Sequence, residues 1–587
     1  MLENVPLQEL IFGIEVPHTL VAFSGEFFTL FHHFEILARA LTNIEEGTRY
    51  TAVMSYRDVL YACVAGVLLG IGFVMPSFWF FSLFSFAPFL WALYRQTTLR
   101  RAALLGFLFG CVAYGLSFYP SFWTAQSLSL VGVTGPWLQL LLVAFVWGLT
   151  VLIFAISAGL FALVVHILRT RSWLDVLLVA SCWPLADWIG AWLFSLVNAN
   201  KGVLLGPHFS LGSFGYLLAA DTTLIQVAWL GGLYALNALI AFCGAILFRL
   251  WVTGSIHERI ALNILTMLLI ISWVGGYTFL SRVETDAQSV GTLTIAAIST
   301  QETNRPSISE EERDVRFARI LELIQSIHDA DVILLPEGRG TLDRFRSEYG
   351  SLARFLDPSL AERTDGPLIV DSVNVRSFDG TLRSRIEYWD FSAWRSSFAY
   401  KQFLFPYTET LSEVYIWIAK TLGPDDAVTD LLDRVQLGSG ESPEPVRAGR
   451  ALVSALVCSD GISPILYRDQ AAKGAQAFFN LSSQAVYEGS LLMDVLTGRI
   501  ASVRATESRR WLVLSGNVVP SFAIDPYGRL VAATQKGKDG VLYIKVIPRT
   551  DTTPFVRFGE WVLLVPLVFF GFFVWHRRTI APRRTSA

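Results

Sequence analysis

The chain has 587 residues, of which 53% are hydrophobic and only 16% are charged, with a formal net charge of −3. This composition is too apolar for a soluble protein of this length and predicts a membrane protein. The slightly negative charge excludes a basic surface for nucleic acid. The five cysteines are too scattered for a disulfide framework, and Cys458 is the one that lies in the polar part of the chain.

The chain begins with a mixed, phenylalanine-rich extension, residues 1–56, for which we expect an interfacial position at the membrane surface. Residues 57–282 carry apolar runs long enough, or nearly so, to cross roughly 30 Å of hydrocarbon. Asp175 and Asp187 interrupt the fifth run, which makes it the ambiguous one. The seven runs lie near residues 59–75, 77–94, 102–125, 137–165, 173–195, 223–248 and 260–281.

The loop charges predict how these spans are oriented. Arginines fill the second, fourth and sixth loops, whereas the first, third and fifth loops hold little that is basic beyond Lys201. An eighth apolar run, Trp561–Trp575, lies in the last segment, residues 557–587, and is followed by four arginines. By the positive-inside rule we expect both termini in the cytoplasm and residues 283–556 outside.

Residues 283–556 have the pattern of an α/β domain. Leu293–Ser299 alternates like a strand, Ser309 and Glu312 form a capping box that opens a helix, and Val332–Leu335 is predicted as the next strand. Strands alternating with helices indicate sheets that are covered by helices. The later predicted elements are strands at 453–457, 477–481, 511–515, 518–524 and 529–534 and helices near 463–473 and 491–507.

Three residues suited to acyl chemistry stand at or near the ends of predicted strands: Glu337, Lys401 and Cys458. Cysteine acyl transfer needs a thiolate, a residue that moves protons and donors for the tetrahedral oxyanion. A glutamate serves as the base if its surroundings raise its pKa, and a nearby lysine favours the thiolate and can donate to the oxyanion. Taken singly, each has an ordinary alternative as a helix-end carboxylate, a surface cation or an inert buried thiol.

Taken in order, these motifs resemble the nitrilase, or carbon–nitrogen hydrolase, superfamily. Its Glu–Lys–Cys triad would fall on Glu337, Lys401 and Cys458. Seven spans before such a domain and one after it are similar to one branch, the apolipoprotein N-acyltransferases. The resemblance covers about residues 55–580, and its motifs are Leu335-Pro336-Glu337, Tyr400-Lys401 with Pro406 and Glu409, Val457-Cys458-Ser459-Asp460, Arg101–Gly110, Arg504-Ala-Thr-Glu507 with Gly516-Asn517, and Pro554–Gly559.

The resemblance implies a helical membrane domain of about eight spans in the bacterial inner membrane and a periplasmic αββα sandwich. It implies that Glu337 deprotonates Cys458, which takes a fatty acyl chain from a membrane phospholipid as a thioester. The amine of a diacylglyceryl apolipoprotein would then accept the chain. Lys401 would stabilise the oxyanion, and Glu409 would position the lysine. The resemblance implies neither a cofactor nor a metal, and we expect a monomer.

The chain departs from the family pattern around the nucleophile. Ser459 and Asp460 stand where the family has an aromatic residue and a glutamate, and Ser483–Val486 replaces an Asn-Asp-x-Trp segment. We expect Asp460 to support the triad and Ser459 to contact the substrate. Arg339 is a candidate for binding a phosphate headgroup. A further hypothesis is that Tyr388, Trp389 and Trp394 belong to an apolar loop that dips into the bilayer and covers the acyl chain.

Two other functions remain open at this point. The first is a membrane-tethered amidase or hydrolase that uses the same triad with water as the acceptor. The second is a diverged, non-catalytic membrane partner of a glycosyltransferase. The presence of Glu337, Lys401 and Cys458 together argues against the second, because a pure anchor has no need of all three.

Overall fold

The computed structural model describes residues 54–120, 135–283, 291–303, 309–348, 367–390, 395–422, 432, 436–487 and 489–571. These residues form a bundle of apolar helices followed by two β-sheets with helices on their outer faces. The predicted fold class, a helical membrane domain with a nitrilase-like α/β domain, is confirmed. The interfacial role predicted for residues 1–50 falls outside the described residues.

Within the described residues, seven helices are long and apolar enough to cross a membrane. Each of the seven predicted runs overlaps one of them. Of the eighth run, the structure describes the short apolar helix Trp561–Gly571, and the remainder lies outside the described residues. The helices are α1 Tyr56–Val74, α2 Phe86–Arg95 (which follows a 3-10 segment, Pro76–Phe84), α3 Leu99–Ser117, α4 Pro136–Leu168, α5 Leu174–Val197, α6 Ala228–Val252 and α7 Ile256–Val283.

The ambiguous fifth run is a helix, α5, in spite of its two aspartates. Asp175 lies at its start and accepts hydrogen bonds from two backbone N–H groups of the preceding loop. Asp187 lies in mid-helix and accepts from Ser213 at 2.7 Å, from Asn237 at 2.9 Å and from Tyr114 at 3.1 Å. A carboxylate with this many donors can be buried at a tolerable cost. The two aspartates therefore stabilise the bundle through hydrogen bonds that their carboxylates accept inside it.

The α/β domain contains two six-stranded sheets, in the orders β12-β1-β2-β3-β4-β5 and β11-β10-β9-β8-β7-β6. Strands β1 to β3 run parallel in the first sheet and β7 to β9 run parallel in the second, and the remaining neighbours are antiparallel. The strands are β1 Leu293–Ser299, β2 Val332–Leu334, β3 Leu368–Arg376, β4 Leu382–Asp390, β5 Arg395–Tyr400, β6 Val446–Ala448, β7 Ala451–Val457, β8 Ala477–Ser483, β9 Trp511–Asn517, β10 Phe522–Ile524, β11 Leu530–Ala533 and β12 Gly540–Val546.

The two sheets pack face to face, and helices cover both outer faces. Residues such as Val370 and Phe479 fill the space between the sheets. Helix α8 covers the first sheet, and α11 and α12 cover the second in one continuous core with the membrane helices. The αββα sandwich therefore rests on the membrane bundle through one of its helix layers. The helices of this domain are α8 Glu310–Gln325, α9 Thr341–Glu348, α10 Glu413–Leu422, α11 Pro464–Ala472, α12 Leu491–Ser508 and α13 Pro554–Phe558.

Candidate active site

Cys458 is the first residue after strand β7 and opens the short 3-10 turn Cys458–Ile462. Its backbone φ is +43°, in the left-handed region that a residue with a side chain rarely adopts. Such a conformation costs about 1–3 kcal/mol and persists where the surroundings enforce it. The Sγ atom lies 3.8 Å from both the Ser482 hydroxyl and the Ser483 carbonyl oxygen. The nucleophile candidate is thus held at a sharp strand-to-turn junction.

Lys401 directly follows strand β5 and its side chain is completely buried. The Nζ atom donates to Glu337 Oε1 at 3.2 Å and to Glu409 Oε1 at 2.5 Å. The second oxygen of each carboxylate accepts a backbone N–H, from Ser483 at 3.0 Å for Glu337 and from Phe405 at 2.7 Å for Glu409. Both carboxylates are therefore held in place from two sides.

The strand ends explain why residues distant in sequence meet. Strands β2 and β7 lie in different sheets that face each other, and their carboxyl ends lie at one edge of the sandwich, where sites in α/β folds form. Glu337 follows β2 and Cys458 follows β7. Lys401 arrives at the same edge from β5, an edge strand of the first sheet. The structure thus brings the three predicted residues together, with Glu409 beside them.

Burial and charge determine the protonation of this cluster. Burial and then the Glu337 charge raise the pKa of the Cys458 thiol, which is about 12 after Lys401 has partly offset them. Burial also raises the pKa of Glu337, against the lowering effects of Lys401 and of its hydrogen bond with Cys458. Burial lowers the pKa of Lys401, but Glu337 and Glu409 more than compensate and hold it well above its usual range. At neutral pH the site therefore contains a thiol and a lysine cation.

Asp460 links the two segments that carry the lysine and the cysteine. It is completely buried. Its Oδ1 atom accepts the backbone N–H groups of Gln402 and Phe403, next to Lys401, and Oδ2 accepts that of Val457, next to Cys458. Burial raises its pKa to about 6, and Lys401 and the three N–H donors limit the rise. Its position makes it a structural clamp between the two segments.

Ser459 lies on the wall of the cavity at the site, and its hydroxyl faces the lysine cluster. Its hydroxyl lies 2.8 Å from the Phe403 carbonyl oxygen and 3.2 Å from Glu409 Oε2. The small residue leaves room for the loop that carries Glu409 to pack against the nucleophile turn. Ser459 therefore contacts the residue that holds Lys401.

A cavity of about 1130 Å³ opens at the site. Glu337, Cys458 and Ser483 lie on its wall. Arg339, whose side chain is 12% exposed, lines it as well and pairs with Glu302. Burial lowers the pKa of Arg339, while Glu302 raises it. This paired arginine on the wall is a candidate contact for an anionic group of a bound molecule.

The hypothesis of a lipid-dipping aromatic loop is wrong for two of its three residues. Tyr388 and Trp389 lie in strand β4. Tyr388 is 1% exposed, and its hydroxyl accepts the N–H of Ala455 at 2.9 Å in the opposite sheet. Trp389 packs into the core under α8. Tyr388 therefore connects the two sheets. Because strand β4 is paired on both sides, it cannot leave the domain to enter the bilayer. Trp394 falls outside the described residues.

The sequence did not indicate the backbone donors of the site. The amide of Ser483 holds Glu337, and that of Phe405 holds Glu409. Main-chain N–H groups carry no sequence signature, although Ser483 stands at the end of strand β8 and could have been suspected on that ground. Within the parts of the chain that the structure describes, no three histidine, cysteine or acidic residues are grouped so as to hold a metal ion.

Comparison with known proteins gives a consistent result. Residues 65–246 match the family described as apolipoprotein N-acyltransferase N-terminal domain, and residues 408–553 match the carbon–nitrogen hydrolase family. The chain is 24% identical to the apolipoprotein N-acyltransferase of Pseudomonas syringae pv. tomato, over 87% of this chain and 95% of the relative. It is 25% identical to that of Geobacter metallireducens, over 86% and 92% of the two chains. The chain belongs to the apolipoprotein N-acyltransferase family of the nitrilase superfamily.

Among solved structures, the chain is similar to Saccharomyces cerevisiae Nit3, a member of branch 10 of the nitrilase superfamily. The identity is 14%, the TM-score is 0.32, and the match covers 50% of this chain and 96% of Nit3. An amidase from Nesterenkonia sp. matches with 19% identity and a TM-score of 0.29, over 45% and 95% of the two chains.

As a member of this acyltransferase family, the chain is an enzyme. The carbon–nitrogen hydrolase match begins at residue 408, so it includes Glu409 and Cys458 but neither Glu337 nor Lys401. The positions of Glu337 and Lys401 support a role for both in the site, because they lie beside the Cys458 thiol where four separate segments meet.

Proposed function

We propose that the enzyme transfers a fatty acyl chain from a membrane phospholipid, through a thioester on Cys458, to the N-terminal amine of diacylglyceryl-cysteine in apolipoproteins. This reaction is a step of lipoprotein maturation. The observation that carries the proposal is the buried Lys401 between Glu337 and Glu409, beside Cys458, in a chain that belongs to this family.

In the first half-reaction, the Cys458 sulfur attacks the ester carbonyl carbon of the phospholipid. Because the thiol pKa is high, proton transfer to Glu337 accompanies the attack instead of preceding it. Lys401 Nζ and the backbone N–H of Ser459 stabilise the oxyanion that forms. The ester C–O bond then breaks, Glu337 returns the proton to the leaving oxygen, and lysophospholipid departs. A thioester remains on Cys458.

In the second half-reaction, the amine of the apolipoprotein attacks the thioester carbonyl. Glu337 accepts a proton from the amine, and the same donors stabilise the second oxyanion. The C–S bond breaks, the amide forms, and the proton passes to the Cys458 sulfur. A carboxylate with a raised pKa suits both directions, since it must take up and release a proton in each cycle.

The membrane context supports lipid substrates. The loop charges predict that the catalytic domain lies outside the cytoplasm and that both termini are cytoplasmic. Membership of the family implies the bacterial inner membrane and hence a periplasmic catalytic domain, and we expect a monomer. Donor and acceptor are both anchored in lipid, so a site resting on the bundle receives them from the bilayer. Arg339 on the cavity wall is a candidate contact for the phosphate of the donor.

The test is intact mass spectrometry of the detergent-extracted protein after incubation with phospholipid. We expect an acyl adduct that hydroxylamine removes, present on the wild type and absent from Cys458→Ser. Cys63→Ser, which removes a thiol from the membrane helix α1, serves as the matched control and should retain the adduct.

Adding a diacylglyceryl peptide to the adduct should release the thiol and yield the N-acylated peptide. An adduct that yields only free fatty acid, at a rate independent of the peptide, would instead identify a hydrolase. An unmodified wild-type protein, folded and tested with several phospholipids, would refute the thioester route.

A further inference from the structure

Polar side chains of the membrane domain contact the turn that carries Cys458. They lie in the loop between α5 and α6. The Ser210 hydroxyl lies 2.5 Å from the Ile462 carbonyl oxygen, at the end of the turn, and 2.5 Å from the Tyr216 hydroxyl. His208 Nδ1 lies 2.8 Å from the hydroxyl of Ser463, the next residue. All of these side chains are buried.

The chain of contacts continues into helix α12. Arg504 donates to the Tyr216 hydroxyl at 2.5 Å and to Glu507 Oε2 at 2.5 Å. Both residues of this ion pair are completely buried. If Arg504 donates to Tyr216, Tyr216 to Ser210, and Ser210 to Ile462, each hydroxyl donates one bond and accepts one. Hydrogen bonds arranged in such a series strengthen one another.

The far end of the chain of contacts lies in the membrane helix α6. This helix is interrupted at Gly231 and Gly232, and Gly232 has a φ of +69°. The second oxygen of Glu507 accepts the N–H of Leu233 at 2.7 Å, directly after the interruption. One continuous series of hydrogen bonds therefore connects a break in a membrane helix with the turn of the nucleophile.

Packing alone does not explain this arrangement. Burying an ion pair carries a desolvation cost that apolar residues of similar size would avoid. The series ends on the Cys458–Ile462 turn, whose first residue has a backbone conformation that only its surroundings can maintain. Asp460 holds the start of this turn, through Val457, whereas the membrane domain holds its end.

We propose that Ser210 and Tyr216 are positioning residues for the reaction. These side chains of the membrane domain hold the Cys458–Ile462 turn from its membrane side and thereby orient Cys458. The reactivity of the thiol then depends on how α6 packs in the membrane bundle. The proposal rests on the proposed function where acyl transfer is measured, but its direct readout is the reactivity of the thiol itself.

The experiment uses the full chain in detergent and the variants Tyr216→Phe and Ser210→Ala. Tyr94→Phe is the matched control, because it removes a hydroxyl bonded to Asp175 at 2.7 Å in a membrane helix that does not contact the turn. We measure the pH dependence of Cys458 alkylation by iodoacetamide, read from the mass of its peptide, together with kcat and KM for acylation by phospholipid and the Tm of each variant.

We expect both variants to lower kcat about tenfold, with KM changed by less than about twofold, because a misplaced nucleophile weakens the transition state more than substrate binding. The rate or the pH profile of Cys458 alkylation should change with kcat, whereas Tyr94→Phe should resemble the wild type in both.

Unchanged kcat and unchanged alkylation in both variants would overturn the proposal. So would losses that follow a lowered Tm and recur in Tyr94→Phe, since they would indicate a purely structural role. Ser210→Ala decides the question if Tyr216→Phe does not fold. Alkylation needs no lipid, so an altered alkylation profile in a protein that never forms an acyl adduct would support the positioning role and refute the proposed function.

Discussion

At the residue scale, the charge balance of the site determines how the proposed nucleophile, Cys458, would be activated. One lysine cation lies between two carboxylates. A thiolate would add a third negative charge to this buried cluster, so in the proposed mechanism the Cys458 thiol stays protonated until it attacks. This way of activating the cysteine differs from one that uses a preformed cysteine–histidine ion pair. It requires Glu337 to be ionised at rest and able to take the proton during the attack.

The pH dependence of acylation follows from this requirement. Protonation of Glu337 removes the base, so kcat/KM should fall as the pH drops through the Glu337 pKa, which burial raises above its usual range. The Glu409 charge contributes to raising that pKa. Glu409→Gln should therefore move the acid limb to lower pH, and should also lower the plateau by about tenfold because Lys401 loses a partner.

The measurement is the rate of acyl-adduct formation from about pH 4 to pH 9. Glu444→Gln is the control, since this carboxylate is 78% exposed and pairs with Lys473 in a surface salt bridge. An acid limb that stays in place, or moves upward, in Glu409→Gln would show that Glu409 does not act on Glu337 through its charge.

At the element scale, small residues set the distance between membrane helices α3 and α4. A Cβ atom built on Gly110 in α3 would lie 2.7 Å from Ala158 Cβ and 2.9 Å from Ala155 Cα, both in α4. Small residues allow two membrane helices to approach closely, and dispersion contacts along the seam stabilise the pair.

Gly110→Leu should separate these two helices. Over-packing of this kind destabilises a protein by about 1–3 kcal/mol, so we expect a lower Tm for the detergent-extracted protein. Gly148→Leu is the matched control, because Gly148 lies in α4 and its Cβ position has nothing within 4 Å. If the two variants had the same Tm, the α3–α4 seam would not limit stability.

At the scale of the whole molecule, the catalytic domain and the bundle share one apolar core. Arg499 on α12 reaches across the boundary and donates to the carbonyl oxygen of Gly72 at 3.1 Å and to that of Pro76 at 2.9 Å. These two carbonyls lie where the first span ends and the next one begins. Burial lowers the pKa of Arg499 to about 10, so it remains charged at neutral pH.

Arg499→Leu should weaken this junction. It leaves two carbonyl groups without their donor, and each buried unsatisfied group costs about 1–3 kcal/mol. We expect a lower Tm and faster amide hydrogen exchange around residues 71–78. Arg447→Leu, at an exposed position in β6, should change neither. Unaltered exchange at the junction in Arg499→Leu would mean that Arg499 does not secure it.

The sequence by itself determined the elements that depend on local patterns. The seven spans follow from runs of apolar residues, and the helix α8 follows from its capping box, in which Ser309 does accept the N–H of Glu312. Strand β4 shows where local patterns fail. The buried Glu387 and Ser384 interrupt its apolar alternation, so the sequence pattern favours a loop where the structure has a strand that contains Tyr388.

The tertiary structure alone decided which distant groups meet. It places Asp187 among donors from other helices, the amide of Ser483 on Glu337, and Ser210 on the carbonyl of Ile462. Periodicity and capping act between residues a few positions apart, so a single sequence reveals them. Contacts across 146 or 252 positions depend on how sheets and helices pack. A backbone amide or carbonyl also has no side chain that would indicate its contact in the sequence.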